Sequence, residues 1–348
     1  MIFQNVCIES IAYHLPQNIV TSEELEKRMA VLYERLKLPL GRLEMMSGIR
    51  ERRFWDKGVF PSEIGSEAGR KAIDKSGIDI NEIECLICAS VCRDYLEPAT
   101  ASIIHHNLGL RQSSFIFDVS NACLGVLNGI MIVGNMIELG QIRAGLIVSG
   151  ENGGPLIDNT IEALLANPHA SRLDVKLAFA SLTIGSAAAA VLLCHKDISR
   201  SRHILLGGEN LSATQHNDLC RGNADSGMHS EAAPLMKTDS ETLMKMGVEL
   251  ACKTWEVTKL KLGWSNDYVD RIFTHQVGSM HRKSMYDSLE LDIQKDFSTL
   301  EYLGNTGSAA LPTTLAIGEE RGHVKKGDTV ALLGIGSGLN CIMLGAEW

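Results

Sequence analysis

The sequence predicts an α/β protein made of two duplicated halves, residues 1–175 and 176–348. Short apolar runs of strand length alternate with helix-spaced segments along the whole chain, which is the pattern of layered α/β folds. The order of those elements in the first half recurs in the second. A single shift of 182 residues also lays Gly140 on Gly322, Gly145 on Gly327, Gly125 on Gly307 and Cys123 on Asn305. Coincidence of turn residues at one offset marks an internal duplication.

In chain order, residues 2–16 predict a strand and turn. Ser22-Glu23-Glu24 opens a capped helix, with Leu25, Met29, Leu32 and Leu36 at helical spacing. Pro61 starts a helix that Gly77 ends. Residues 83–91 are an apolar run of strand length, 102–108 a helix ending at Gly109, and 115–119 another strand. That strand runs into Asn121-Ala122-Cys123-Leu124-Gly125 and a helix to about Leu139, followed by a turn and the strand at 146–149. In the second half, residues 268–274 predict a strand ending at His275, and 282–289 a helix. Asn305-Thr306-Gly307 precedes a small-residue helix, and residues 330–333 form a last strand.

Composition limits the function. Hydrophobic residues are 45% and charged residues 22%, enough apolar material for a core. The formal charge of −9 argues against nucleic-acid or anionic-membrane binding. The N-terminal segment has no basic region before a long apolar run, so no signal peptide is expected. Nine cysteines, an odd number, then suggest reduced thiols and a cytoplasmic location. Residues 177–194 and 122–137 are uncharged, but they are too short or too polar to span a membrane. The first of them predicts a turn followed by a buried strand.

The helix after Cys123 carries Leu124, Val126, Leu127, Ile130, Met131, Ile132, Val133 and Ile137 on every face. Such a helix must be buried all round. Cys123 is thereby placed at a buried helix N-terminus, where oriented N–H groups favour a thiolate. It is the candidate nucleophile; the alternative is a structural buried cysteine. His275, just past a strand, and Asn305, the counterpart of Cys123, are the other candidates, against a satisfied histidine and a helix cap. Gly334-Ile335-Gly336-Ser337-Gly338 predicts a tight turn bringing backbone N–H groups near the thiol. Cys85, Cys88 and Cys92 invite a metal reading, but residues 85 and 88 of a strand point to opposite faces. No metal is expected, and adjacent His105 and His106 diverge on a helix. Arg50, Arg52 and Arg53 are either a phosphate contact or the solvated side of a strand.

Four segments together resemble the thiolase superfamily, within it the ketoacyl-acyl-carrier-protein synthase III group. They are Asp118-Val119-Ser120-Asn121-Ala122-Cys123-Leu124-Gly125, His275-Gln276, Gly304-Asn305-Thr306-Gly307-Ser308-Ala309 and the 334–338 glycine run. Gly48-Ile49-Arg50-Glu51-Arg52 is typical of the same group. Arg93-Asp94-Tyr95-Leu96-Glu97-Pro98, Phe54-Trp55-Asp56, Leu219-Cys220-Arg221-Gly222-Asn223 and Leu339-Asn340-Cys341 resemble its olefin-pathway branch, which joins two fatty acyl-CoA molecules head to head.

The resemblance implies a five-layered αβαβα fold, a homodimer, no cofactor, and Claisen condensation of acyl thioesters carried by CoA or an acyl-carrier protein. It implies Cys123 as nucleophile, backbone N–H groups of Cys123 and Ser337 as oxyanion hole, and His275 and Asn305 on the enolate oxygen. Glu97 is implied as the base, reaching the partner subunit's thiol. Arg50 and Arg282 are the substrate-binding candidates. The alternative is a decarboxylating synthase III that uses a malonyl donor and needs no base; a rival outside enzymology is an inactive scaffold on the same fold. Two features depart from relatives. Met46 and Met280 occupy positions where many synthase III enzymes have arginines for CoA, and Gly334 stands where two-cysteine thiolases have their second cysteine.

Overall fold

The computed structural model describes residues 1–222 and 235–348. Asn223, the end of one of the motifs above, lies outside the described residues. The large sheet contains β1 (Val6–His14), β2 (Ile83–Cys88), β3 (Phe115–Asp118), β4 (Ala144–Glu151), β5 (Ala187–His195), β6 (His203–Ser212), β7 (Arg271–Thr274), β8 (Thr329–Gly336) and β9 (Asn340–Glu347). Their order is β7-β8-β9-β6-β1-β5-β4-β2-β3.

That order is two copies of one pattern. In the first, β3, β2 and β4 run parallel, and β5 and β1 follow antiparallel. In the second, β7 and β8 run parallel, and β9 and β6 follow antiparallel. The copies meet through two residue pairs, Cys7 with Ile204 and Ile8 with His203. Strand β5 belongs to the first copy although it lies beyond residue 175, so the sheets change over after His195.

The helices complete five layers. Ile64, Ala68 and Ala72 of α1 (Pro61–Ser76) and Ile104 of α2 (Thr100–Leu108) pack on Leu86, Leu146 and Leu192. Leu127, Ile130 and Val133 of α3 (Gly125–Glu138) and Leu311 and Leu315 of α6 (Ala310–Glu320) share the central core with Ile87, Ile147, Val330 and Leu332. Leu250 and Trp255 of α4 (Ser240–Leu262) and Tyr286 of α5 (Ser279–Leu289) cover Ala331 and Leu333. Successive strand residues such as Leu86 and Ile87 thus feed different layers, as the twofold period of a strand requires. Each fully buried Leu or Ile contributes about 1.5–3 kcal/mol, and α3 buries them on most of its circumference.

The N-terminal helix is broken in two, Ser22–Arg28 and Ala30–Leu36, at Met29. Its cap is Thr21: the Thr21 Oγ1 accepts from Glu24 N at 3.1 Å, and Glu24 accepts from Thr21 N at 2.6 Å. Residues 177–194 resolve into a turn followed by β5, and no helix among the described residues is long and apolar enough to cross a membrane. Strands β6 and β9 and the long helix α4 are absent from the sequence reading. Helix α4 is capped, with Asp239 Oδ1 accepting from Thr242 N at 3.2 Å and Gly263 in the left-handed region at its end.

Candidate active site

Cys123 lies between β3 and α3. Ala122, just before it, has φ of 45°, in the left-handed region. A non-glycine residue there costs about 1–2 kcal/mol, and such residues gather at functional sites. Leu124 N–H donates to Asn121 O at 2.9 Å, closing the turn that leads into α3. Gly125 is needed next: a Cβ there would stand 2.7 Å from Ala89 O and 2.9 Å from Ser308 Oγ. Ser308, from the other half, accepts the Val126 N–H at 2.9 Å. One orphan donor of the helix is therefore taken by a serine rather than left to the thiol.

The Cys123 thiol is pushed up to about 12, first by burial, then by the charges of Glu151 and Cys220. This corrects the expectation of a resting thiolate. Desolvation and a neighbouring carboxylate outweigh the helix terminus, so the resting group is the neutral thiol.

Glycines at the end of β8 let that strand approach. A Cβ on Gly336 would be 3.5 Å from Cys123 N, and one on Gly334 only 2.2 Å from Leu127 Cδ1. Ser337 follows, in the turn before β9. Asn340 Nδ2 donates to Ser337 O at 3.2 Å and to Asn121 Oδ1 at 3.3 Å. One side chain thus ties the Ser337 turn to the segment two residues before the thiol.

His275 extends β7, with its N–H on Leu333 O at 3.0 Å, one residue from Gly334. It is 3% exposed, and both ring nitrogens lack a hydrogen-bond partner among the described residues. Burial, then His281, lowers its pKa to about 3, so the imidazole is neutral. His281, itself lowered to about 4 by burial, is a neighbour the sequence reading did not single out. Gln276 fixes the end of β7: it donates to Phe297 O at 3.0 Å and accepts from Thr299 N at 2.9 Å.

Asn305 is buried in the segment that follows. Its N–H bonds Thr183 O at 3.0 Å, and its C=O accepts from Gly185 N at 2.8 Å. Its Oδ1 accepts from Gly307 N at 3.0 Å, which leaves the Nδ2 hydrogens as its donor end. A single turn of 3₁₀ helix, Gly307–Ala309, separates it from α6. Cys123 and Asn305 therefore enter from opposite halves and approach through Ser308.

The other candidates stand elsewhere. Glu97 is exposed on the loop between β2 and α2. Asp118 is occupied as a cap, its two oxygens accepting from Thr100 N and Ala101 N at 2.8 Å. Arg50 pairs with Glu301 at 3.0 Å. Arg282 pairs with buried Asp296 and lies over Tyr286 at 5.9 Å. Met46 and Met280 are both exposed. Cys85 and Cys88 join core clusters on opposite faces of β2, and no disulfide joins cysteines among the described residues. Among the described residues no three His, Cys, Asp or Glu side chains gather to hold a metal. The sequence reading also passed over Glu151, whose partners lie 60 and 157 residues away.

Residues 46–156 match the thiolase N-terminal domain, and residues 260–348 match the C-terminal domain of 3-oxoacyl-[acyl-carrier-protein] synthase III. The chain is similar to the acyl-CoA:acyl-CoA alkyltransferase of Shewanella oneidensis, 43% identical over 100% of both chains. It is 38% identical to that of Xanthomonas campestris pv. campestris, again over 100% of both. A solved structure of Xanthomonas campestris OleA overlays it with a TM-score of 0.94 at 38% identity, covering 100% of this chain and 98% of that one. OleA structures carry substitutions at a cysteine, at a glutamate 26 residues before it, and at a histidine. Glu97 precedes Cys123 by the same 26 residues. A further OleA structure holds lauric acid and lauroyl-CoA.

Proposed function

We propose the function of this chain from the family it belongs to, the acyl-CoA:acyl-CoA alkyltransferases of the thiolase superfamily. It is an acyltransferase that condenses two fatty acyl-CoA molecules head to head through an acyl-Cys123 intermediate, giving a 2-alkyl-3-ketoacyl product. The observation that carries this reading is the pairing of Cys123, His275 and Asn305 with a glutamate at the spacing found in OleA.

The Cys123 thiol gives up its proton to solvent and attacks the first thioester carbonyl as the thiolate. The tetrahedral oxyanion is held by the N–H groups of Cys123 and Ser337. Its collapse breaks the bond to the CoA sulfur, which leaves and takes up a proton from solvent. A second acyl-CoA then places its thioester oxygen against the His275 N–H and Asn305 Nδ2. The partner subunit's Glu97 removes an α-proton, and the enolate carbon attacks the acyl-enzyme. The new C–C bond forms as the bond to Cys123 breaks, and the proton held by the partner subunit's Glu97 passes to the departing thiolate.

A homodimer is part of the proposal. Edge strand β3 exposes Phe115 (59%) and Ile116 (39%), and the Glu97 loop beside it exposes Leu96. An exposed apolar edge strand is a surface made for pairing. Nine cysteines with no disulfide among the described residues fit a cytoplasmic location. Arg50 and Arg282 would reach substrate phosphates only by exchanging the carboxylates they now hold.

The match of residues 260–348 to synthase III keeps a second reading in view, decarboxylating condensation with a malonyl donor on a carrier protein. Product analysis by mass spectrometry separates the two. Long-chain acyl-CoA alone yields the branched ketoacyl product under the first reading; a strict requirement for a malonyl thioester establishes the second.

A further inference from the structure

One buried carboxylate stands beside the nucleophile and outside the machinery just described. Glu151 ends β4 and is 4% exposed. Its Oε1 accepts from Val91 N at 2.8 Å, Ser308 N at 3.2 Å and Ser149 Oγ at 3.3 Å, and its Oε2 accepts from Cys92 N at 3.2 Å. These neutral donors come from separate parts of the chain. Val91 and Cys92 begin the loop that carries Glu97, and Ser308 is three residues past Asn305. Gly307 makes room, since a Cβ there would stand 3.2 Å from Glu151 Cδ. Trp55 Nε1 donates to the Glu151 main-chain oxygen at 3.0 Å and fixes the end of the strand.

Burial raises the pKa of Glu151, and the N–H groups of Val91, Cys92 and Ser308 offset part of that cost. Glutamine cannot replace it. With donors on both oxygens, an amide must turn its NH₂ toward one of them.

We propose that Glu151 is a positioning residue whose single carboxylate fastens the loop bearing Glu97 to the junction bearing Asn305. The inference rests on the function proposed above. Under that reading the loop serves the partner's site and the junction serves the chain's own, so the carboxylate also links the two sites of a dimer. Its charge has a second effect, since it is the largest contributor after burial to the raised pKa of Cys123.

Glu151→Gln tests the proposal in the full-length protein, read by amide hydrogen exchange, Cys123 acylation and condensation kinetics. In the unsubstituted protein the amides of Val91, Cys92 and Ser308 should exchange slowly and together. In Glu151→Gln all three should quicken, and kcat for condensation should fall about 10²-fold, the cost of a misplaced reacting group. KM and Cys123 acylation should hold, and alkylation of Cys123 by iodoacetamide should move to lower pH. Unchanged exchange at Val91 and Ser308, or an equal loss of acylation and condensation, overturns the assignment. Should the variant fail to fold, the unsubstituted protein decides, because independent exchange of Val91 and Ser308 excludes a shared clamp. Failure of the functional reading is separate. An unsubstituted protein that makes no head-to-head product refutes that reading while the exchange data still judge the clamp.

Discussion

Ser308 and Val126 are 182 residues apart and bonded to each other, the Ser308 hydroxyl oxygen accepting the Val126 N–H at 2.9 Å. The same interval maps Gly125 onto Gly307 and Cys123 onto Asn305. Residues equivalent by duplication can touch only beside the axis that relates the two halves. That axis passes between the starts of α3 and α6, and Cys123 of one copy and Asn305 of the other stand just before those two helices.

Ser308→Ala should therefore weaken the whole molecule. It leaves the Val126 N–H buried without an acceptor, at a cost of about 1–3 kcal/mol. Urea unfolding at equal m-value measures this, and an unaltered midpoint would show that the bond contributes nothing.

Cys123→Ala should abolish the acyl-enzyme and leave the fold intact, because the side chain is small and makes no hydrogen bond that α3 depends on. Intact-protein mass spectrometry after incubation with acyl-CoA checks it. An acyl adduct on the variant would move the nucleophile elsewhere.

His275→Ala and Asn305→Ala should each slow condensation on the order of 10²-fold, the effect of losing a donor aimed at developing charge, while Cys123 still acylates. The comparison needs single-turnover acylation beside steady-state condensation. If both variants acylate as poorly as Cys123→Ala, the assignment to the enolate oxygen is wrong.

Stability should fall in acid. The folded pKa of His275 is about 3 and its ordinary value 6.5. Between them the unfolded chain holds a proton that the folded chain does not, so stability is complete above about pH 6.5 and declines as pH falls toward 3. His281 adds to the same slope. Melting temperatures taken from neutral pH downward should fall less steeply in His275→Asn than in the unsubstituted protein; parallel curves would place the acid sensitivity elsewhere.

Glu97→Gln should form the Cys123 acyl-enzyme and then stop, since the amide cannot accept an α-proton. Malonyl-dependent condensation, where decarboxylation supplies the enolate, should survive in the same variant. Condensation of two acyl-CoA molecules at the unsubstituted rate would remove Glu97 from the mechanism.

Cys123, His275 and Asn305 stand out in the sequence because each follows a strand or opens a helix, and because small residues crowd the same stretches. The duplication was legible from turn glycines, which mark backbone conformations rather than packing. Glu151 was not, since its meaning lies in amide groups contributed by Val91, Cys92 and Ser308, which no local pattern connects to it. The protonation of Cys123 was misread for a related reason: position at a helix start is local, whereas burial and the Glu151 charge belong to the assembled core. Helix α4 escaped because its apolar residues pack against a sheet completed only by β9, at the far end of the chain.

Gly334 has a consequence for descent. A side chain there would meet Leu127 Cδ1 at 2.2 Å and Leu124 Cδ2 at 2.7 Å, and both leucines are buried. The position is crowded by its neighbours, so one substitution in a descendant of this chain does not place a second thiol there without moving Leu127 or Leu124. Gly334→Cys alone should fold poorly, and Gly334→Cys with Leu127→Ala should recover, a dependence that thermal melts of the two variants would expose. The two leucines hold this chain to one thiol at the position.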